Sequence, residues 1–273
     1  MIKTSVIVVA YNCAIDEIPC LKSALASPSV GQVIVCDNST EQNCNAERAE
    51  ELGITYLPME GNVGLPKAYN AGVEECGEEI LCIFDDDTRV GTDYFDAVAE
   101  LSNSSRKWDI ALPLVMDGSD ILSPCIFKGY RARPFLNSAQ IKSSDNLSGI
   151  NSGMVIKREV FSTIQYDERL FLDFVDHRFL QDARNLGMSI VYLDGPVLQQ
   201  DYALSSDSPD TASRRLCIFE KDAKVFYEDS MPRRLYCNAM LIYRHIKFRE
   251  RYGRRYGASG SCIGGRDSER GTQ

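Results

Sequence analysis

Apolar residues come in short unbroken runs over the first hundred positions, and stretches of helical spacing separate them. The runs at 5–10 (SVIVVA), 32–37 (QVIVCD), 54–57 (ITYL) and 79–84 (EILCIF) lack the alternation of a half-solvated strand, so they read as strands covered on both faces. Between them, 15–26, 43–52 and 66–76 carry apolar residues at the three-to-four spacing of amphipathic helices. Strands alternating with helices of this length imply right-handed crossovers and a mainly parallel α/β sheet. Further on, 92–101 predicts a helix, 110–115 and 124–128 predict strands, and 129–149 shows no regular pattern. A helix follows at 174–186, closed by Gly187, and a strand resumes at 189–193. From 209 to 252 the pattern is helical, and the end of the chain is rich in Gly, Ser and Arg. The expected organisation is an α/β domain over 1–205, a helical extension over 206–253 and a disordered tail over 254–273.

Three of the predicted strands end in polar clusters: Tyr11-Asn12, Asp37-Asn38-Ser39 and Asp85-Asp86-Asp87. In open parallel sheets ligands bind beyond the carboxyl ends of the strands, so these clusters define one rim. Three adjacent carboxylates there repel one another unless solvent or a cation neutralises them. Hard divalent cations take such oxygens and bridge them to phosphates. The loop Gly61-Asn62-Val63-Gly64-Leu65-Pro66-Lys67 leads into a helix, and its backbone and Lys67 can lie near a ribose or diphosphate on the same rim. A second acidic cluster, Phe171-Leu172-Asp173-Phe174-Val175-Asp176, sets Asp176 among apolar and aromatic residues, where burial improves it as a proton acceptor. Asp173 reads as a helix cap, His177 as a structural residue or a ligand, and Arg178 with Asp182 as an i, i+4 ion pair.

Other chemistries lose their support. No Gly-x-Gly-x-x-Gly follows the first strand, and neither a Walker loop nor a Gly-x-Ser-x-Gly elbow is present. Ten cysteines without a Cys-x-x-Cys spacing, beside two histidines, argue against zinc and for reduced, buried thiols in a cytoplasmic protein. The apolar run at 5–11 meets Asn12, Asp16 and Glu17 and lacks a small-residue cleavage pattern, so it reads as a first strand and not as a signal peptide. No stretch is apolar for long enough to span a bilayer. The 273-residue chain has net charge −9, and its acidic balance disfavours nucleic acid as a partner. Residues 231–256 go the other way, with eight Lys/Arg against one acid, Glu250. That basic stripe, interleaved with Leu235, Leu241, Ile242, Tyr243 and Phe248, suits peripheral contact with anionic lipid, a polyanionic acceptor, or packing on the chain's own acidic domain. Oligomeric state leaves no mark in the sequence.

The segments 5–12 (SVIVVAYN), 33–40 (VIVCDNST), 61–73 (GNVGLPKAYNAGV), 81–88 (LCIFDDDT), 151–161 (NSGMVIKREVF) and 166–187 (YDERLFLDFVDHRFLQDARNLG) resemble, in order, the inverting glycosyltransferases of family 2, in particular their rhamnosyltransferase-like branch. The resemblance implies the GT-A fold, a Rossmann-like, mainly parallel mixed sheet flanked by helices, here with a C-terminal helical extension. It also implies transfer of a sugar from a nucleoside-diphosphate-sugar donor of UDP or dTDP type. The acceptor would be a glycan or lipid-linked hydroxyl in surface polysaccharide synthesis, and the cofactor Mn²⁺ or Mg²⁺. By that likeness Tyr11 and Asn12 border the nucleotide, and Asp37 meets the base. Asn62, Gly64 and Lys67 line the ribose and diphosphate, and Asn151, Ser152 and Gly153 lie near the sugar. Asp87 is the first metal ligand, with Asp85 toward ribose or metal, and Asp86 belongs to the donor side while serving the local backbone. Asp176 is the general base. Relatives often carry a metal-site histidine after the strand near 190–198; this chain has Gln199-Gln200-Asp201, so either Gln200 or Asp201 takes that place or the metal is held more loosely. A degenerate domain that binds nucleotide without catalysis is the alternative. A nucleotidyltransferase is disfavoured, because its Gly-rich basic activation loop is absent.

Overall fold

The computed structural model describes residues 2–128, 130–142, 144, 146–200 and 208–253. The chain divides into two units, Met1–Ala203 and Leu204–Gln273.

The first unit is built on β1 (Thr4–Ala10), β2 (Val30–Asp37), β3 (Thr55–Pro58) and β4 (Ile80–Asp85), with helices α1 (Pro19–Ala26), α2 (Asn45–Leu52) and α3 (Leu65–Glu74) on the crossovers. β1 pairs in parallel with β2 on one side and with β4 on the other, and β2 pairs in parallel with β3. Val6, Ile7, Val8, Ile34, Val35, Leu81, Cys82 and Ile83 are fully buried, the result expected for strands covered on both faces. A Cβ on Gly72 of α3 would lie 2.7 Å from Ile7 Cγ2 and 2.9 Å from Cys36 Sγ, so the glycine lets α3 settle directly on the sheet.

The remaining elements of this unit are β5 (Thr88–Arg89), α4 (Thr92–Asn103), β6 (Ile110–Asp117), β7 (Asp120–Ser123), β8 (Cys125–Lys128), β9 (Arg131–Pro134), α5 (Ser138–Lys142), β10 (Leu147–Ser148), β11 (Met154–Lys157), α6 (Val175–Asn185) and β12 (Ile190–Gln200). The main sheet runs β3-β2-β1-β4-β11-β6-β12-β5, with β7 beside β6, and β10-β8-β9 form a separate small sheet. β11 is antiparallel to both β4 and β6, while β12 runs parallel to β6. The sheet is therefore mixed and mostly parallel, with helices on its faces.

The structure corrects several boundaries. The helix expected over 15–26 is a 3₁₀ turn at Ile15–Glu17 followed by α1, because Ile18 precedes Pro19 and is held extended at φ −74°, ψ 110°. The stretch 129–149 is not irregular: it carries β9, α5 and β10. Every residue of β9 is exposed, so no alternation announces it. The strand expected at 189–193 continues to Gln200. The N-cap of α6 is Phe174 at φ 65°, and Asp173 does not fill that position. Arg178 and Asp182 do pair, at 2.9 Å.

In the second unit, α7 (Pro209–Phe226) starts on Ser208, whose hydroxyl accepts the Thr211 N–H. α8 (Met231–Tyr252) follows, so the helical pattern is broken at Tyr227–Ser230, where Pro232 restarts it. The Arg244 guanidinium lies 3.5 Å from the centre of the Phe219 ring, and Arg233 lies over Phe226 and Tyr227, which joins the two helices. No helix among the described residues is long and apolar enough to cross a membrane. The expected tail over 254–273 lies outside the described residues, as does Asp201.

Candidate active site

The ends of β1, β2 and β4 are stitched into one rim. Tyr11 donates its N–H to Asp86 Oδ2 at 2.9 Å, and Asn12 donates its N–H to Ser39 Oγ at 2.8 Å. Asn12 sits at φ 52°, a left-handed conformation that Asn tolerates, and its Oδ1 accepts from the N–H groups of Thr40 and Glu41. Tyr11 and Asn12 are exposed at this edge. Asp37 is buried beneath it, with Oδ2 accepting from Asn43, Asn45 and Tyr56 and Oδ1 from the Ser39 N–H. Burial pushes its carboxyl up, but hydrogen bonds from Ser39, Asn45 and Tyr56 outweigh burial and hold it below the ordinary value.

The aspartates after β4 have separate tasks. Asp85 accepts the Tyr69 hydroxyl on Oδ1 at 2.5 Å and the Ser152 hydroxyl on Oδ2 at 2.6 Å. Asp86 reaches across to the end of β1, where it accepts the Tyr11 N–H and the Cys13 thiol. Asp87 accepts from Gln200 Nε2 at 3.1 Å and 3.4 Å. Burial, then the charges of Asp85 and Asp86, push the Asp87 carboxyl up to about 6, against a smaller pull from the Gln200 hydrogen bond. Gln200 is buried to 7% exposure, and among the described residues its Oε1 has no hydrogen-bond partner; nor has Thr88 Oγ1, on the residue paired with Gln200 across β5 and β12. Among the described residues no three His, Cys, Asp or Glu side chains converge as a ready-made metal cage.

The glycine loop and the second acidic cluster meet. Gly64, at φ +89°, precedes α3, and a Cβ there would lie 2.8 Å from Phe171 Cδ2 and 2.9 Å from the Phe171 carbonyl oxygen. Asn62 is exposed and accepts the Gly64 N–H on its own side chain, while Lys67 is exposed on the first turn of α3. Asp176 occupies the first turn of α6, a position that favours an anion, and accepts the His177 N–H. Burial pushes its carboxyl above the ordinary value; the His177 charge and N–H draw it down, and Asp85 pushes it up again. His177 itself meets Ser148 Oγ through Nδ1 at 2.8 Å and packs on Phe127. β8 and β10 thereby pack against the first turn of α6.

Asn151, Ser152 and Gly153 come to the same place, two of them as buried supports. Asn151 Oδ1 accepts the Tyr166 hydroxyl at 3.0 Å, and Ser152 holds Asp85. Gly153, at φ +77°, donates its N–H to Ile83 and accepts the Tyr94 hydroxyl. Tyr69 and Tyr166, whose rings lie 5.1 Å apart, are buried and were not marked by the sequence. Burial and then Asp85 raise Tyr69, and Asp176 contributes; for Tyr166 burial is followed by Asp176 and then Asp85. Of the two phenols, Tyr69 bonds Asp85 and Tyr166 bonds Asn151. Tyr69 stood within the segment 61–73, but a fully buried tyrosine in an apolar helix reads as core until its hydroxyl is seen on Asp85.

A family model described as Glycosyl transferase family 2 matches residues 5–163, more than half of the chain. The chain belongs to glycosyl transferase family 2. The "dTDP-rhamnosyl transferase RfbF" of Shigella flexneri is 26% identical over 193 residues, 67% of this chain and 64% of that relative. The match thus spans just under two thirds of the relative's length. Among solved structures, GalNAc-T7 with UDP, GalNAc and Mn²⁺ aligns over 95% of this chain and 56% of its own, with TM-score 0.62 and 13% identity. The mannosyltransferase PcManGT from Pyrobaculum calidifontis, in complex with GDP-Man and Mn²⁺, covers 94% of this chain and 73% of its own, with TM-score 0.60 and 15% identity. S. aureus TarS 1–349 covers 96% and 76%, with TM-score 0.54 and 18% identity. These structures share the fold expected of GT-A enzymes.

Proposed function

We propose that the chain transfers a sugar, with rhamnose from a dTDP donor as first choice, to a hydroxyl of a glycan or lipid-linked acceptor, with inversion at the anomeric carbon. One observation carries the reading: Asp85, at the end of β4, is held by the Tyr69 and Ser152 hydroxyls, and the loop that leads to Asp176 on α6 is bonded through Phe171 to Leu65, at the start of the helix that bears Tyr69. The donor's nucleotide would lie along the rim of Tyr11, Asn12 and Asp37, with its diphosphate toward Asn62, Gly64, Lys67 and the aspartates. Gly153 and the residues that Asn151 and Ser152 hold would border the sugar.

Asp87 fits a divalent cation, because crowding of three carboxylates is relieved by positive charge and the orphaned Oε1 of Gln200 is a neutral oxygen ligand beside it. Asp87, Gln200 and, on its free coordination positions, Asp85 would hold Mn²⁺ or Mg²⁺, with donor phosphate oxygens completing the shell. When bound, such an ion stabilises the charge that develops on the departing diphosphate. Asp176 takes the proton from the acceptor hydroxyl; the oxygen forms its bond to the anomeric carbon as the bond to the nucleoside diphosphate breaks. The raised carboxyl of Asp176 makes it a stronger proton acceptor than an ordinary aspartate, and α6 fixes its direction.

The first test is a thermal-shift series with dTDP, UDP and GDP, each with and without Mn²⁺, followed by transfer assays with the matching nucleotide sugars. A metal-dependent shift with dTDP and turnover of dTDP-rhamnose are expected. Nucleotide binding without transfer or donor hydrolysis would support a binding domain instead.

A further inference from the structure

We infer that α8 docks the chain on an anionic bilayer surface. Ten large apolar side chains are exposed among the described residues, and five of them, Met231, Leu235, Ile242, Tyr243 and Ile246, lie on this one helix. Met231, Leu235, Ile242 and Ile246 follow one another at four, seven and four residues, so with Ala239 they form a single stripe along the helix. Cys237, Leu241 and Phe248, which are buried, mark a different face. The apolar stripe is therefore left over after α8 has packed. Scattered exposed apolar residues need no explanation, but a contiguous row of them does.

Charge decides the occupant. α8 carries six Lys/Arg against one acid, Glu250, in a chain of net charge −9. Arg233 and Arg244 are engaged with the rings of Phe226, Tyr227 and Phe219. Arg234, Lys247, Arg249 and Arg251 are exposed. Arg234 and Lys247 flank the stripe, Arg249 lies within it, and the one acid is tied to Lys247 at 2.9 Å. A second copy of the chain would bring this same face against itself, cation toward cation in either direction of the helices. A soluble polyanion would match the charges and leave the stripe wet. An anionic bilayer satisfies both, since apolar side chains enter the acyl boundary while basic ones meet headgroups. The inference is independent of the reaction proposed above.

Co-sedimentation of the full chain with vesicles of phosphatidylcholine, alone or mixed with phosphatidylglycerol, tests it. Binding to the mixed vesicles is expected, weakened by salt. Ile242→Asp with Ile246→Asp should reduce it by at least about tenfold, since two apolar anchors are lost. Arg234→Gln should reduce it by about fivefold without touching the stripe. Thermal-unfolding midpoints equal to the parent's show that the variants fold, and if the double variant does not, Leu235→Ser with Arg234→Gln takes its place. Failure of the parent chain to sediment with the mixed vesicles would overturn the inference. So would variants that bind like the parent, or a concentration-dependent dimer that the double substitution dissociates while vesicles go unbound.

Discussion

Leu65 donates its backbone N–H to the carbonyl of Phe171 at 2.8 Å, so the first residue of α3 is bonded to the loop that leads into α6. The donor side of the cleft and the residue proposed as base are thus fixed to each other by main chain, which varies less than a side-chain contact. Gly64 makes the approach possible, because its φ of +89° suits glycine and any Cβ would strike Phe171. Gly64→Ala should destabilise the chain by about 1–3 kcal/mol and lower the transfer rate as the loop shifts. Denaturant unfolding gives the first quantity and a transfer assay the second; a variant with parental stability would show that the loop yields freely.

Asp176→Asn should leave nucleotide affinity unchanged and reduce transfer by about 10²–10⁴-fold, the usual worth of a general base. The acid limb of the parent's rate profile should lie above the ordinary carboxylate value of 3.8, because burial raises this group. A variant that keeps a large part of the parental rate removes Asp176 from the role.

Asp87→Ala should lower Mn²⁺ affinity in the presence of nucleoside diphosphate by at least about tenfold. Gln200→Ala should act in the same direction with a smaller effect, since its oxygen is neutral. Calorimetric titration reads both, and unchanged isotherms would refute the assignment.

Asp37→Asn keeps the shape of a buried acceptor but turns one oxygen into a donor facing Asn43, Asn45 and Tyr56. Loss of about 1–3 kcal/mol is expected at neutral pH. The folded pKa lies below the unfolded value near 3.8, so this stabilisation is present above that pH and is lost as the pH falls through the folded value. The gap in unfolding temperature between parent and variant should therefore narrow in acid. A gap independent of pH would mean that packing, not charge, is at stake.

The strands that carry the rim were legible because burial on both faces leaves a continuous apolar run, as in β1, β2 and β4. β11 was not, since its four residues take their place by antiparallel pairing with β4 and β6, which no local pattern records. β9 was missed for the opposite reason: Arg131–Pro134 is wholly exposed and has no apolar face to show. In the site, carboxylates announced themselves by type and position. Tyr69, Tyr166 and Tyr56 did not, because a phenol that anchors a carboxylate is indistinguishable in sequence from one that fills a core.

β11 also sets a schedule for the growing chain. β1 to β4 are complete by residue 85, yet the free side of β4 is met only by Met154–Lys157, some seventy residues later. Until then Ile80–Asp85 offers an unpaired edge of apolar backbone, the kind that recruits strands from other molecules. Fragments that stop between residues 90 and 150 should aggregate more than those that run through Gln200, where β11 has covered β4 and β12 has covered β6. The strand that joins β4 to β6 is the one that covers this sticky edge of the nascent chain.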